Sequence, residues 1–257
     1  MKLSKYSGII KKQSVSGKHL STRLNLNAKY SSNDLISWQN QKIKFKKNSD
    51  ILDLGCGNGA QAEFLIKKIS EQNKIYCLDL SKKSIFNLKK KIIDKRLVTY
   101  SKNMDSLKNF FNKKIDVLHS SYSLYYSSNP REILDHCFKL LNPRGKFIIT
   151  IPSYPHTMVE DINKIKKVPK NVDESLRFYE SFLKRYFEKK FNKFKVYNFK
   201  NIIQIPNFTT FWDLYSATTY YDKSIKADVR LYIETIIKNY GTYKIIKNAK
   251  LLIAEKF

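Results

Sequence analysis

Asp53, Gly55, Gly57, Gly59 and Asp79 are the residues whose types and spacing can do chemistry in this chain. The first four lie in D-I-L-D-L-G-C-G-N-G from Asp50 to Gly59, and Asp79 ends K-I-Y-C-L-D twenty residues beyond Gly59. Three glycines in five positions let a ligand lie against bare backbone, and a turn so built is entropically expensive unless it is used. An acid at the spacing of Asp79 can accept hydrogen bonds from both hydroxyls of a ribose. Gly55-x-Gly57-x-x-Ala60 also satisfies the looser dinucleotide fingerprint, so the glycines alone leave the ligand open between nucleotide types. Asp53 narrows the choice. A carboxylate two residues ahead of the first glycine would face a dinucleotide's pyrophosphate across a partly dry cleft, whereas a ligand with a cation there would be attracted.

The pattern around these residues predicts the elements that hold them. Ile51, Leu52 and Leu54 make a buried strand, and Ala62, Leu65, Ile66 and Ile69 mark one face of a helix over residues 60 to 71. Lys74 to Asp79 is a second strand, after which Ser81 caps a helix with Ile85, Leu88 and Ile92 inward. Leu97 to Leu107 is a third strand with its loop, and Ile115 to Tyr126 a fourth. Pro130 opens a helix that Asn-Pro-Arg-Gly145 ends, Gly145 making the sharp turn into the strand Lys146 to Ile151. Beyond Pro152 come a loop containing His156, a helix near Asp173 to Phe191, two strands at 194–205 and 243–254, and a helix around 225–239. Strands alternating with helices specify an α/β chain with a mostly parallel sheet. Ahead of it, Asn33 is a plausible cap for a short helix carrying Leu35, Ile36 and Trp38.

D-L-G-C-G-N-G closely resembles motif I of the class I S-adenosylmethionine-dependent methyltransferases. L-L-N-P-R-G-K-F-I-I-T resembles the strand that follows that family's motifs, and the resemblance runs from about residue 33 to the C-terminus. It implies a seven-stranded, mostly parallel, doubly wound sheet with a C-terminal antiparallel strand pair and helical lid insertions. One methyltransferase domain would span 33–257, with lid or acceptor-pocket insertions at 153–192 and 206–241. The implied cofactor is S-adenosyl-L-methionine, held by Asp53, Gly55, Cys56, Gly57, Asn58, Gly59, Asp79, Leu80, Asn103, Met104 and Ser120. Alignment by Leu107 puts Asn103 where the family usually has an acid, with Asp105 competing for that place. The implied reaction is in-line displacement of the sulfonium methyl onto O, N or C of an acceptor. Base candidates are His119, His156 and Tyr125, each of which also reads as an ordinary packed or surface residue. Tyr30, Tyr122, Tyr126, Trp212 and Tyr215 are candidates for an aromatic acceptor pocket, with simple packing as the competing reading. The Asn/Asp-Pro-Pro-aromatic signature and the Pro-Cys or Thr-Cys nucleophile of nucleobase methylation are missing, which favours a small-molecule acceptor.

Composition bounds the alternatives. The 257 residues, 42% hydrophobic, suffice for one large α/β domain. The formal charge of +27 comes from 49 basic residues, mostly lysine, against 22 acids. Lysine spread over helix faces reads first as solvent dressing, but residues 1–32 hold basic residues and not one acid. That basic stretch, too sparse in hydrophobics for a packed element, reads as a mobile or capping arm and keeps a tRNA or rRNA methyltransferase open as the alternative. An NAD(P)-dependent reductase and a cofactor-binding protein without catalysis stand behind it. Cys56, Cys77 and Cys137 lack metal spacing and read as reduced thiols of a cytoplasmic protein, with no metal expected. Neither a leader-type apolar core nor a bilayer-length apolar run is present, and no feature sets the oligomeric state.

Overall fold

The computed structural model describes residues 17–257. Its centre is a seven-stranded sheet in the order β3-β2-β1-β4-β5-β7-β6. The strands are β1 Ile51–Leu54, β2 Ile75–Asp79, β3 Leu97–Ser101, β4 Ile115–Ser121, β5 Leu141–His156, β6 Phe194–Ile205 and β7 Tyr243–Glu255. Strands β1 to β5 pair in parallel, and β7 runs antiparallel between β5 and β6. This is the expected doubly wound sheet with its C-terminal antiparallel pair. The central strands are apolar on both faces because helices cover both. On one face Leu52, Leu54, Leu118 and Phe147 are buried in one cluster, and on the other Ile51, Ile75, Val117 and Ile148 in a second.

The described helices are α1 Gly17–Tyr30, α2 Leu35–Lys42, α3 Ala62–Ile66, α4 Lys82–Lys91, α5 Pro130–Leu140, α6 Thr157–Ile165, α7 Lys170–Leu176, α8 Lys184–Lys190, α9 Phe208–Ser216 and α10 Lys226–Tyr240. A π-helical segment, Tyr179–Leu183, leads into α8 after a turn at Arg177 that ends α7, so the expected helix near 173–191 is interrupted once and underwound in its middle. Helices α6, α9 and α10 build a third core with the far ends of β6 and β7, around Phe211, Tyr215, Ile233 and Tyr243. None of the described helices is long and apolar enough to cross a membrane.

Five local expectations are corrected. Residues 17–30 are a helix rather than a sparse arm: α1 lies on α9 and β6, with Leu26 and Tyr30, one turn apart, against the third core. Residues 1–16 of that arm lie outside the described residues. Asp34, not Asn33, caps α2, its Oδ1 accepting from the Ser37 N–H at 2.6 Å, while Asn33 Nδ2 donates to the Lys200 carbonyl of β6. Helix α3 is five residues long instead of twelve. There the chain turns so that the Lys68 ammonium reaches the Asn40 and Ile43 carbonyls at 3.4 and 3.1 Å. Arg144, not Gly145, takes the left-handed conformation at φ 61 after α5. Gly145 is needed for close approach, since a Cβ there would stand 2.6 Å from Leu141 Cγ. His156 belongs to the end of β5, paired with Lys247 of β7, rather than to a loop.

Candidate functional site

Strand β1 lies where the strand order reverses, between β2 and β4, and ligands of open α/β sheets bind outside the carboxyl ends of strands at such a point. Gly55, Gly57 and Gly59 follow it with φ of 71, 55 and 82. The structure separates their duties. A Cβ on Gly55 would be 2.1 Å from Ser123 Cβ, and one on Gly59 2.1 Å from Leu88 Cδ1, so these two are required by packing. At Gly57 the nearest atom is Leu20 Cδ2 of α1 at 3.5 Å, which leaves this stretch of backbone open to a ligand under the N-terminal helix. The Gly57 N–H donates to Asp79 Oδ2 at 2.9 Å and the Ser81 N–H to Oδ1 at 2.8 Å. Burial raises the Asp79 carboxyl above its ordinary value, and these N–H groups oppose that shift. Each oxygen keeps a further lone pair for a ribose hydroxyl. Leu80 beside it is 45% exposed, an apolar surface at the same rim. Cys56 is buried, and its hydrogen bond with Cys77 together with burial pushes the thiol well up. Asn58 is half-buried in the turn.

Asp53 and His119 are register partners on β1 and β4, both buried, with Asp53 Oδ1 2.7 Å from His119 Nδ1. The histidine therefore belongs to the same unit as the acid, a link that spacing in the sequence does not reveal. Asp53 Oδ2 and His119 Nε2 have no protein partner. Beside them the amide of Gln39, on α2, donates to Thr150 Oγ1 at 2.5 Å and to Ser121 Oγ at 3.3 Å, and accepts from Gln61, whose own Oε1 is unpartnered. Unpaired buried polar atoms cost about 1–3 kcal/mol each, so a group of them beside an open glycine backbone calls for a ligand with matching polarity. An ammonium against Asp53 Oδ2, a ribose against Asp79 and bare backbone at Gly57 fit S-adenosylmethionine.

The loop beyond β4 is tied to the glycine turn. Ser120 and Ser123 hydroxyls lie 2.7 Å apart, and Ser123 Oγ donates to the Leu54 carbonyl at 2.5 Å. Tyr122 sits at φ 54 with its N–H on the Thr150 carbonyl, and burial raises its hydroxyl. The Met104 methyl approaches Gly55, 3.6 Å from where its Cβ would be. Asn103 Oδ1 accepts from the Asp105 N–H at 3.0 Å, whereas Asp105 is committed to holding Ser127 and Ser128. Tyr125 is buried with ring centroids 4.6 Å from Tyr126 and 6.4 Å from Phe178, in the cluster that also takes Tyr122.

The five pocket candidates divide. Tyr122 and Tyr126 stand beside the turn, while Tyr30, Trp212 and Tyr215 belong to the third core. Tyr215 is fully buried, its hydroxyl accepting from the Asp222 N–H at 3.0 Å. His156 is buried at the end of β5 with Nδ1 unpartnered, and burial and Lys247 lower it to about 3. Ser123, Gln39 and Gln61 escape sequence reasoning, having no motif. Lys247 had a signal: it breaks the inward alternation of Tyr243, Ile245, Ala249 and Leu251. Among the described residues no group of three or more His, Cys, Asp or Glu is placed to hold a metal.

The family model described as a methyltransferase domain matches residues 45–204, more than half of the chain. The chain belongs to this methyltransferase family. Its matched span runs from ahead of the glycine turn through β5 into β6, so the strands that carry Asp53, Asp79 and His119 lie inside it, while α1 and α2, which cover the site, lie ahead of it. Solved structures share the methyltransferase fold. A Bacillus halodurans protein assigned as a methyltransferase superposes with TM-score 0.64 at 14% identity, over 87% of this chain and 99% of that one. The Haemonchus contortus phosphoethanolamine N-methyltransferase 2, solved with phosphomonomethylethanolamine and S-adenosylhomocysteine, gives 0.59 at 14% over 96% of this chain and 59% of that one. A Haloferax volcanii chain assigned as a methyltransferase and solved with the Trm112 activator gives 0.53 at 15% over 99% and 100%. No curated protein sequence matches this methyltransferase.

Proposed function

We propose that this methyltransferase uses S-adenosyl-L-methionine to methylate O, N or C of a small-molecule acceptor. The observation that carries the cofactor is the unpartnered Asp53 Oδ2, fixed by His119 beside the open backbone of Gly57. When bound, the cofactor supplies a methyl whose bond to sulfur breaks as the acceptor's electron pair forms the new bond, leaving S-adenosylhomocysteine. Asp53 holds the ammonium, Asp79 the ribose hydroxyls, and Met104 and Leu80 offer apolar contact to the base. Ser120 and Ser123 fix the loop along which the acceptor approaches, and Tyr122, Tyr125 and Tyr126 form its aromatic side. The chain's contribution is then chiefly orientation and exclusion of water, worth up to roughly 7–11 kcal/mol in favourable systems.

Calorimetry with S-adenosylhomocysteine tests the cofactor. Asp53→Asn keeps a side chain that His119 can bond while removing the charge, and is expected to raise Kd at least about tenfold, or ~1.4 kcal/mol. Unchanged affinity, or binding of NAD(P) instead, would overturn this assignment. Cell extract incubated with the enzyme and methyl-labelled cofactor tests the acceptor: label is expected in the low-mass fraction, and label confined to RNA would favour the alternative to which the acid-free N-terminal stretch points.

A further inference from the structure

Lys247 is the one residue of inward-facing β7 positions 243 to 251 that is charged, and the acids near this end of β7 are already engaged: Glu160 Oε1 accepts from the His156 backbone N–H at 3.2 Å, and Asp161 Oδ2 accepts from the Tyr243 hydroxyl at 2.8 Å. Across the sheet it pairs with His156 of β5 on one side and Asn201 of β6 on the other. Arg23 of α1 faces it closely enough to join burial in lowering the Lys247 ammonium to about 8. Tyr220, whose buried hydroxyl has no partner, feels the same guanidinium. Among the described residues no carboxylate forms an ion pair with Lys247 or Arg23, and Arg23 spends one N–H on the Ala217 carbonyl at 3.0 Å. Asn201, the other neighbour, is spent on Ser31 and Asn33. Lysine is rarely drawn inward unless paired, and two like charges with no ion-pair partner destabilise one another. Nδ1 of His156, a residue only 6% exposed, is a further unpartnered polar atom of this group.

The place is as telling as the charge. His156 ends β5, a strand parallel to β1, so the group lies at the same end of the sheet as the glycine turn. Helix α1 links the two: Leu20 lies over Gly57, and Arg23, three residues on, is about 4.5 Å further along the axis on the same face.

We propose that Lys247, Arg23, His156 and Tyr220 form an oxyanion subsite that takes a carboxylate or phosphate group of the methyl acceptor. This rests on the small-molecule reading above and assigns a substrate class to it: an acceptor whose anionic end is held at β7 while its nucleophilic end reaches toward the glycine turn. A guanidinium and an ammonium give two kinds of donor, the first able to bond two oxygens at once. The imidazole and phenol N–H and O–H groups complete the set.

The test uses the full chain saturated with S-adenosylhomocysteine and follows the melting temperature against sodium phosphate and, separately, sodium acetate at constant ionic strength. A saturable rise is expected with one of them, and which one tells phosphate from carboxylate. Lys247→Gln and Arg23→Gln should each weaken the half-saturating concentration at least tenfold, whereas Lys83→Gln on the exposed face of α4 should leave it unchanged. No saturable rise with either anion, or a rise that survives both substitutions, overturns the subsite. A rise seen only with oligouridylate and lost in Lys247→Gln also overturns it, in favour of an RNA backbone. Calorimetry with S-adenosylhomocysteine on the untreated wild type separates the two levels: cofactor binding without an anion response removes this inference alone, and an anion response without cofactor binding removes the function it rests on.

Discussion

His156 shows how burial converts one side chain into a pH-dependent contribution to stability. Its imidazole is lowered to about 3 by burial first and by Lys247 second, while an unfolded histidine titrates near 6.5. Between those values the unfolded chain binds more protons at this position than the folded one, so this contribution falls as pH falls from about 6.5 toward 3. Above that window both states are neutral there and nothing is lost. His156→Gln is therefore expected to flatten the drop in melting temperature between pH 6.5 and 5 in scanning calorimetry, and parallel wild-type and variant curves would contradict the account. At this scale His156, His119 and Asp53 are legible in the sequence only as separate residues. That two of them are one hydrogen-bonded pair is not legible there, because register between residues 66 positions apart is set by the sheet and not by local spacing.

The glycine turn makes its prediction at the scale of an element. Gly59 combines a left-handed φ of 82 with a would-be Cβ 2.1 Å from Leu88 Cδ1, so alanine there both strains the backbone and pushes into α4. A loss on the order of 2–4 kcal/mol is expected from Gly59→Ala, seen as a melting temperature lower by several degrees. Gly57→Ala meets no such clash and should cost only about 1–2 kcal/mol of strain, yet it puts a methyl where ligand must lie. Its affinity for S-adenosylhomocysteine should fall further than its stability does. If Gly57→Ala binds like the wild type, the open backbone is not the ligand's bed. The strands and most helices were legible because period and caps are local properties. Helix α1 was not, since its sparse hydrophobics serve only where α9 and β6 supply the other half of the contact. The length of α3 was not legible either, because the Asn40 and Ile43 carbonyls that Lys68 bonds after it belong to the end of α2, remote in the sequence.

On the whole molecule, RNA association driven by a charge of +27 and binding of the demethylated cofactor respond to salt differently. S-adenosylhomocysteine is a zwitterion without net charge, and its proposed contacts with Asp53 and Asp79 are within or at the edge of the sheet, where screening is weak. Its Kd should change little between 50 and 200 mM salt. Association with RNA through dispersed lysines is a matter of counterion release, and a protein with six to ten phosphate contacts loses roughly 10³–10⁵ in affinity over that range. The exposed lysines of α4, Lys82, Lys83, Lys89, Lys90 and Lys91, spread around a helix whose Ile85 and Leu88 are buried, as solvent dressing would be. Filter binding to bulk RNA is therefore expected to be measurable at 50 mM salt and lost at 200 mM, with no sequence preference. RNA binding that persists at 200 mM and weakens when residues 1–16 are removed would mean that the basic balance is a docking surface, and the acceptor would then be sought in RNA rather than among small anions.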